Sequence, residues 1–77
     1  MERIEFDHSK LLGRIIERFG TRAKFAVAAG YSESALSARY NNSTPFDSHD
    51  IELLCKPELL DIPADQIGAY FFTPKVR

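Results

Sequence analysis

Residues 21–42 read TRAKFAVAAGYSESALSARYNN. Thr21 is a good N-cap, and the run from Arg22 to Ala29 is dominated by strong helix formers. Gly30 ends that helix after a few residues. Ser32 caps the next one at once, with Glu33 well placed beside its N-terminal dipole. This helix runs to Tyr40 and stops at Asn41-Asn42-Ser43-Thr44-Pro45, which is turn chemistry. A turn as short as Gly30-Tyr31-Ser32 is too tight for an antiparallel hairpin of long helices. It fits two helices that cross steeply, a helix-turn-helix unit over about residues 21–41. Ala26 lies where the two helices touch, and its small side chain permits close approach. Gly30 can take the positive φ that the turn demands. Leu36 points back into the core beside Phe25, while Ser34, Ser37, Ala38 and Asn41 lie on the outward side.

Outward from this unit the helical pattern continues. Upstream, Leu11, Leu12, Ile15, Ile16 and Phe19 recur as one apolar stripe, with Lys10, Arg14, Glu17 and Arg18 on the other side. Asp7 or Ser9 can cap that helix, and Gly20 stops it. Downstream, Asp47 or Ser48 caps a fourth helix carrying Ile51, Leu53, Leu54 and Cys55, which Pro57 kinks or ends. Leu59 and Leu60 continue the apolar pattern. Pro63 fits the start of a fifth helix with Ile67, Tyr70, Phe71 and Phe72 on it. No alternating β-branched run competes, although Ile4-Glu5-Phe6 could form a short extended arm. The expected fold is all-α, a single domain over residues 1–77 of five helices, with residues 1–7 and 73–77 loose.

Composition narrows the function. The chain has 77 residues, room for one small domain. Ten Lys and Arg against eleven Asp and Glu exclude a binder that works by bulk positive charge. One cysteine excludes a disulfide framework and a cysteine-cluster zinc site, and suits a reducing cytoplasm, where the protein is expected. No apolar run approaches membrane-spanning length, and the acidic start is unlike a signal peptide. His8, His49, Asp7, Asp47 and Asp50 make no recognisable metal spacing. No Gly-rich phosphate loop follows a strand, and a short helical domain offers no cleft for a catalytic triad. Neither an enzyme, a cofactor nor a metal is expected.

The pattern Phe25-Ala26-x-x-x-Gly30-Tyr31-Ser32-Glu33-Ser34-x-Leu36-Ser37, followed by Asn41-Asn42, resembles the Cro/CI-type (lambda-repressor-like) helix-turn-helix family. Pro45-Phe46, Ile62-Pro63, Ile67-Gly68 and Tyr70-Phe71-Phe72 extend the likeness from about Lys10 to Phe72. The chain is most similar in kind to the small Cro-like regulators of temperate phages of Gram-positive bacteria. The resemblance implies a compact lambda-repressor-like domain whose third helix enters the major groove of double-stranded operator DNA. Carried over by position, it puts Glu33, Ser34, Ser37 and Ala38 against base edges with Asn41 at the rim, and Ser32 at the cap beside them. Thr21 and Arg22, with the first amides of the second helix, would hold a phosphate. Lys24, Arg39, Asn42, Ser43 and Thr44 would meet the backbone. A homodimer on two half-sites is also implied, a weak one, because the chain has little material for a large interface.

This chain departs from the pattern at Glu33 and Ala38, where relatives often carry glutamine, arginine or lysine. From Ser9 to Thr44 there are six bases and two acids; from Asp47 onward there are three bases and six acids. The near-neutral total therefore hides a basic front and an acidic back, and steering depends on the local field. Two functions follow. One is operator binding as a Cro-like repressor. The other is an antirepressor or modulator of lysogeny that docks on the opposing phage repressor and blocks its DNA binding. Other residues have plainer readings: Arg14 and Arg18 as a solvated helix face, and Tyr31 and Tyr40 as core-edge covers with their hydroxyls in water. Cys55 reads as a buried inert thiol, and Tyr70-Phe71-Phe72 as core or, alternatively, a dimer surface.

Overall fold

Local capping bonds set the helix starts. The Lys24 amide donates to Thr21 Oγ1 and the Ala35 amide to Ser32 Oγ, each at 3.1 Å. They open α2 (Arg22–Ala29) and α3 (Glu33–Tyr40). Asp47 and Asp50 close a reciprocal capping box at the start of α4 (Ser48–Leu54). The first helix, α1 (Ser9–Phe19), begins at His8, whose side chain makes no cap bond; Asp7 instead accepts the Ser9 amide at 2.8 Å. The last, α5 (Ile67–Phe71), continues a 3-10 turn at Ala64–Gln66 that starts after Pro63. The structure, a computed structural model, describes residues 5–75. It is all-helical, with five α-helices and no strand among those residues.

Two glycines end helices as expected: Gly20 at φ 85° and Gly30 at φ 78°, the latter in the left-handed region a side chain would strain. The fourth helix ends at Leu54, before Pro57, so the proline follows a completed helix and does not kink one.

The core is a cluster built from Leu11, Ile15, Phe25, Leu36, Leu54, Leu60 and Phe71, all essentially inaccessible to water. Helix α1 packs on α2 and α5, and α2 packs on α3. Phe46 meets Phe71 edge-on at 5.0 Å, and Phe19 lies against Phe25 at 5.2 Å. Ile16, although on the expected stripe, is exposed, and so is Phe72, while Tyr70 is half-buried. A five-residue α5 can turn only Phe71 fully inward, so the aromatic trio divides between core and surface.

Two expectations need correction. Arg14 and Arg18 are not a solvated face. Arg14 donates to the Leu60 and Asp61 carbonyls, and Arg18 to the Leu59 and Pro57 carbonyls, the closest of these at 2.7 Å. The segment from Pro57 to Asp61 leaves carbonyls without helical partners, and the two guanidiniums satisfy them. Nor are the segments beside the termini loose where they are described. Phe6 and Pro74 form an isolated antiparallel bridge, with Asp7 N–H donating to the Thr73 carbonyl at 2.7 Å and Lys75 N–H to the Glu5 carbonyl at 2.9 Å. Residues 1–4 and 76–77 of those expected loose segments, and Ile4 of the expected arm, lie outside the described residues.

Arg18→Ala should lower stability by about 1–2 kcal/mol, roughly 4–16 °C in Tm, because two carbonyls lose a charged donor. Thermal unfolding followed by circular dichroism checks this; a solvated face would give no more than about 0.5 kcal/mol.

Candidate helix-turn-helix interface

The α2–turn–α3 unit brings part of the expected site together. Arg22 of α2 and Glu33, Ser34 and Ser37 of α3 line one notch of about 250 Å³, floored by Leu36 and Tyr40. Thr21, Lys24, Ser32, Asn41 and Ser43 are also exposed, whereas Ala38, Arg39, Asn42 and Thr44 are half-buried. The Thr21 and Ser32 hydroxyls already accept capping amides. The Arg22 guanidinium stands over the Tyr40 ring at 5.9 Å and remains open to solvent.

The structure separates the other expected phosphate contacts from this notch. Arg39 turns inward: its Nε donates to Asp50 Oδ2 at 2.9 Å, its Nη1 to the Ala35 carbonyl at 2.8 Å, and its Cζ lies 5.3 Å from the centroid of the Tyr31 ring. A guanidinium in that position is structural, and α3 keeps Glu33 as its exposed charge. Asn42 is turned to the N-terminal arm. In a left-handed conformation at φ 69°, its amide side chain accepts from Phe6 N–H and donates to the Phe6 carbonyl, both at 3.0 Å. Asn41 accepts the Ser43 amide, and the Ser43 and Thr44 amides donate to the Ala38 carbonyl. These residues terminate α3 and tie it to the arm.

Asp50 is the residue that sequence reasoning passed over. Only 3% exposed, it accepts the Tyr31 hydroxyl, the Arg39 guanidinium and the Asp47 amide. Burial alone would raise its pKa; these three bonds outweigh burial and hold the carboxyl below the ordinary carboxylate range. The signal available in sequence was Asp47-x-x-Asp50 ahead of an apolar run, a capping-box spacing. Burial, reinforced by the bond to Asp50, pushes the Tyr31 phenol up to about 12. Burial also raises Tyr40 to about 12, against the opposing field of Arg22. The Tyr31 hydroxyl donates to Asp50. That of Tyr40 is buried without a hydrogen-bond partner among the described residues. Neither lies in water as the sequence suggested. Cys55 is half-buried, and burial raises its thiol pKa, in keeping with an inert role.

Residues 4–74 match the model of a family described as "Protein of unknown function (DUF739)". Among solved structures, the chain is similar to the solution structure of the modulator of repression (MOR) of the temperate bacteriophage TP901-1 from Lactococcus lactis. The two are 35% identical over 94% of this chain and 95% of that one, with a TM-score of 0.77. No curated protein matches the chain significantly. The chain thus shares the fold of a phage repression modulator. No helix among the described residues is long and apolar enough to cross a membrane.

The titrations of the Asp50 cluster have opposite signs. Asp50 is stabilised as a carboxylate, so its contribution is present above its ordinary value of 3.8 and disappears as pH falls through the lower folded value. Tyr31 is stabilised as a neutral phenol, so its contribution is full below 10 and disappears as pH rises through about 12. Urea unfolding across pH should show both losses. Asp50→Asn should remove the acid-side loss attributable to this group while itself destabilising the fold by about 3 kcal/mol, because Arg39 then lacks its counter-charge.

Proposed function

The chain belongs to the DUF739 family, and we propose that it regulates phage repression by protein contact, docking its α2–α3 face on a repressor and covering that protein's DNA-binding surface. The carrying observation is the inward turn of Arg39 onto Asp50. Binding to DNA depends on cations that neutralise phosphates. Here α3 offers the exposed carboxylate of Glu33, with the hydroxyls of Ser34 and Ser37 beside it. The Glu33 carboxylate can pair with a cation of a protein partner, such as one that a repressor turns toward DNA, while Arg22 and Lys24 beside it meet the partner's acceptors. The likeness to the phage TP901-1 modulator of repression supports the same reading. The proposal needs no chemical step, cofactor or metal.

One observation favours the Cro-like reading as a second. Arg22 and Lys24 are exposed at the start of α2, where free helical amides could hold an operator phosphate. In that case Glu33, Ser34, Ser37 and Ala38 would face bases.

A mixture of the protein, its phage's repressor and operator DNA separates the two. Under the proposal, the protein and repressor co-elute, the operator is released, and Glu33→Lys weakens the complex about tenfold or more. Retardation of operator DNA by the protein alone at low salt, lost in Arg22→Ala, would instead establish the DNA reading. An unaltered complex in Glu33→Lys would remove Glu33 from the interface.

A further inference from the structure

Two opposite charges line the α2–α3 notch without using each other. Arg22 and Glu33 both border this space of about 250 Å³, and both are exposed. The ion pairs among the described residues join other groups, so the guanidinium and the carboxylate are each left for a partner. The Arg22 guanidinium lies over the Tyr40 ring, 5.9 Å from its centroid, at cation–π distance. Between the two charges the notch is apolar at its base, where Leu36 is 1% exposed and Tyr40 is half-buried. The notch therefore offers a donor, an acceptor and a greasy floor in one small space.

Resting on the protein-contact reading above, we infer that the notch takes a primary carboxamide, the end of a glutamine or asparagine side chain with which the repressor reads DNA. A lone cation entering the notch is drawn by Glu33 and repelled by Arg22, and a lone carboxylate meets the reverse. A carboxamide is neutral and carries an acceptor and a donor on adjacent atoms that point the same way. Its oxygen accepts from Arg22 and its NH2 donates to Glu33, each bond assisted by a charge. A backbone amide cannot do this, because the N–H and C=O of a trans peptide point in opposite directions. The methylene stem lies on Leu36 and Tyr40, and the Ser34 and Ser37 hydroxyls can donate or accept beside it. The Glu33 carboxylate keeps further lone pairs for a partner cation outside the notch. DNA offers the same pair of groups. In the major groove adenine presents an N–H donor beside an N7 acceptor, and glutamine or asparagine reads both. A repressor amide held by Arg22 and Glu33 is no longer available to adenine, so release of the operator follows from competition for one side chain.

The test is a double-mutant cycle between the full chain and its phage's repressor, with affinity measured by titration calorimetry. Each glutamine or asparagine on the repressor's DNA-binding surface is replaced in turn by glutamate or aspartate, which keeps the shape and removes the donor. At one position the change should weaken the complex about tenfold or more, because two carboxylates then meet in the notch. Glu33→Gln in this protein should recover most of that loss, since amide and carboxylate have changed sides. Glu52→Gln, the same change of charge at an exposed position of α4 outside the notch, should recover none. Both substituted residues are exposed, and circular dichroism confirms that each variant keeps its helices. Equal recovery by Glu52→Gln would reduce the effect to net charge and overturn the inference. So would a loss that Glu33→Gln leaves in place, or a repressor surface on which no amide-to-acid change weakens the complex. Those results leave the protein-contact reading standing, whereas the absence of any complex between the two unaltered proteins removes both.

Discussion

The carboxylate of Asp50 is the point on which the arrangement of α3 depends. An ionised group this deeply buried is tolerable only when its oxygens are filled with donors. Here the donors come from three places: the turn between α2 and α3 (Tyr31), the last turn of α3 (Arg39) and the residue capping α4 (Asp47). All three must be in place together, which fixes the turn, α3 and α4 relative to one another. The interaction defines geometry more than it adds stability, since a buried ion pair gains little net energy over a well-packed apolar replacement. It also determines what α3 presents outward. The base that would have given this helix a positive face is engaged inside.

That changes how the charge distribution is read. The formal excess of bases before Thr44 stands, but it is not all directed at a partner. Arg14 and Arg18 serve the carbonyls between Pro57 and Asp61, Arg39 serves Asp50, and Lys10 lies over the Tyr70 ring at 4.8 Å. Arg22 and Lys24 remain at the start of α2, facing a helix whose exposed charge is Glu33. Arg22, Lys24 and Glu33 are thus the exposed charges of the α2–α3 face.

What could be read from sequence follows a clear physical line. The helix starts at Thr21, Ser32 and Asp47 and the stops at Gly20 and Gly30 were legible because a cap is decided within three or four residues. The alanine, glycine and leucine spacing of the helix-turn-helix was legible for the same reason, and so was most of the core stripe. The targets of long or polar side chains were not. Periodicity says which side of α1 carries Arg14 and Arg18, but not that the segment after α4 lies across that side. Asn42 was correctly placed in a turn, yet its partner is Phe6, far away in the chain. The residues of the expected DNA-contact set lie on α2, on α3 and in the turns beside them. It divided where tertiary bonds claimed particular members, Arg39 and Asn42 above all.

The pairing of Phe6 with Pro74 joins the segment before α1 to the segment after α5. Glu5 and Lys75 approach there both through the backbone and through their charges, 3.7 Å apart. Topologically the domain is nearly a ring. A short peptide joining the two sides of this bridge would close it while leaving the native positions in place. Nearly all the gain would come from the unfolded chain, which would lose the large set of conformations that hold its ends apart. For so small a core, a covalent link across this bridge is thus a stabilising route that the fold already accommodates.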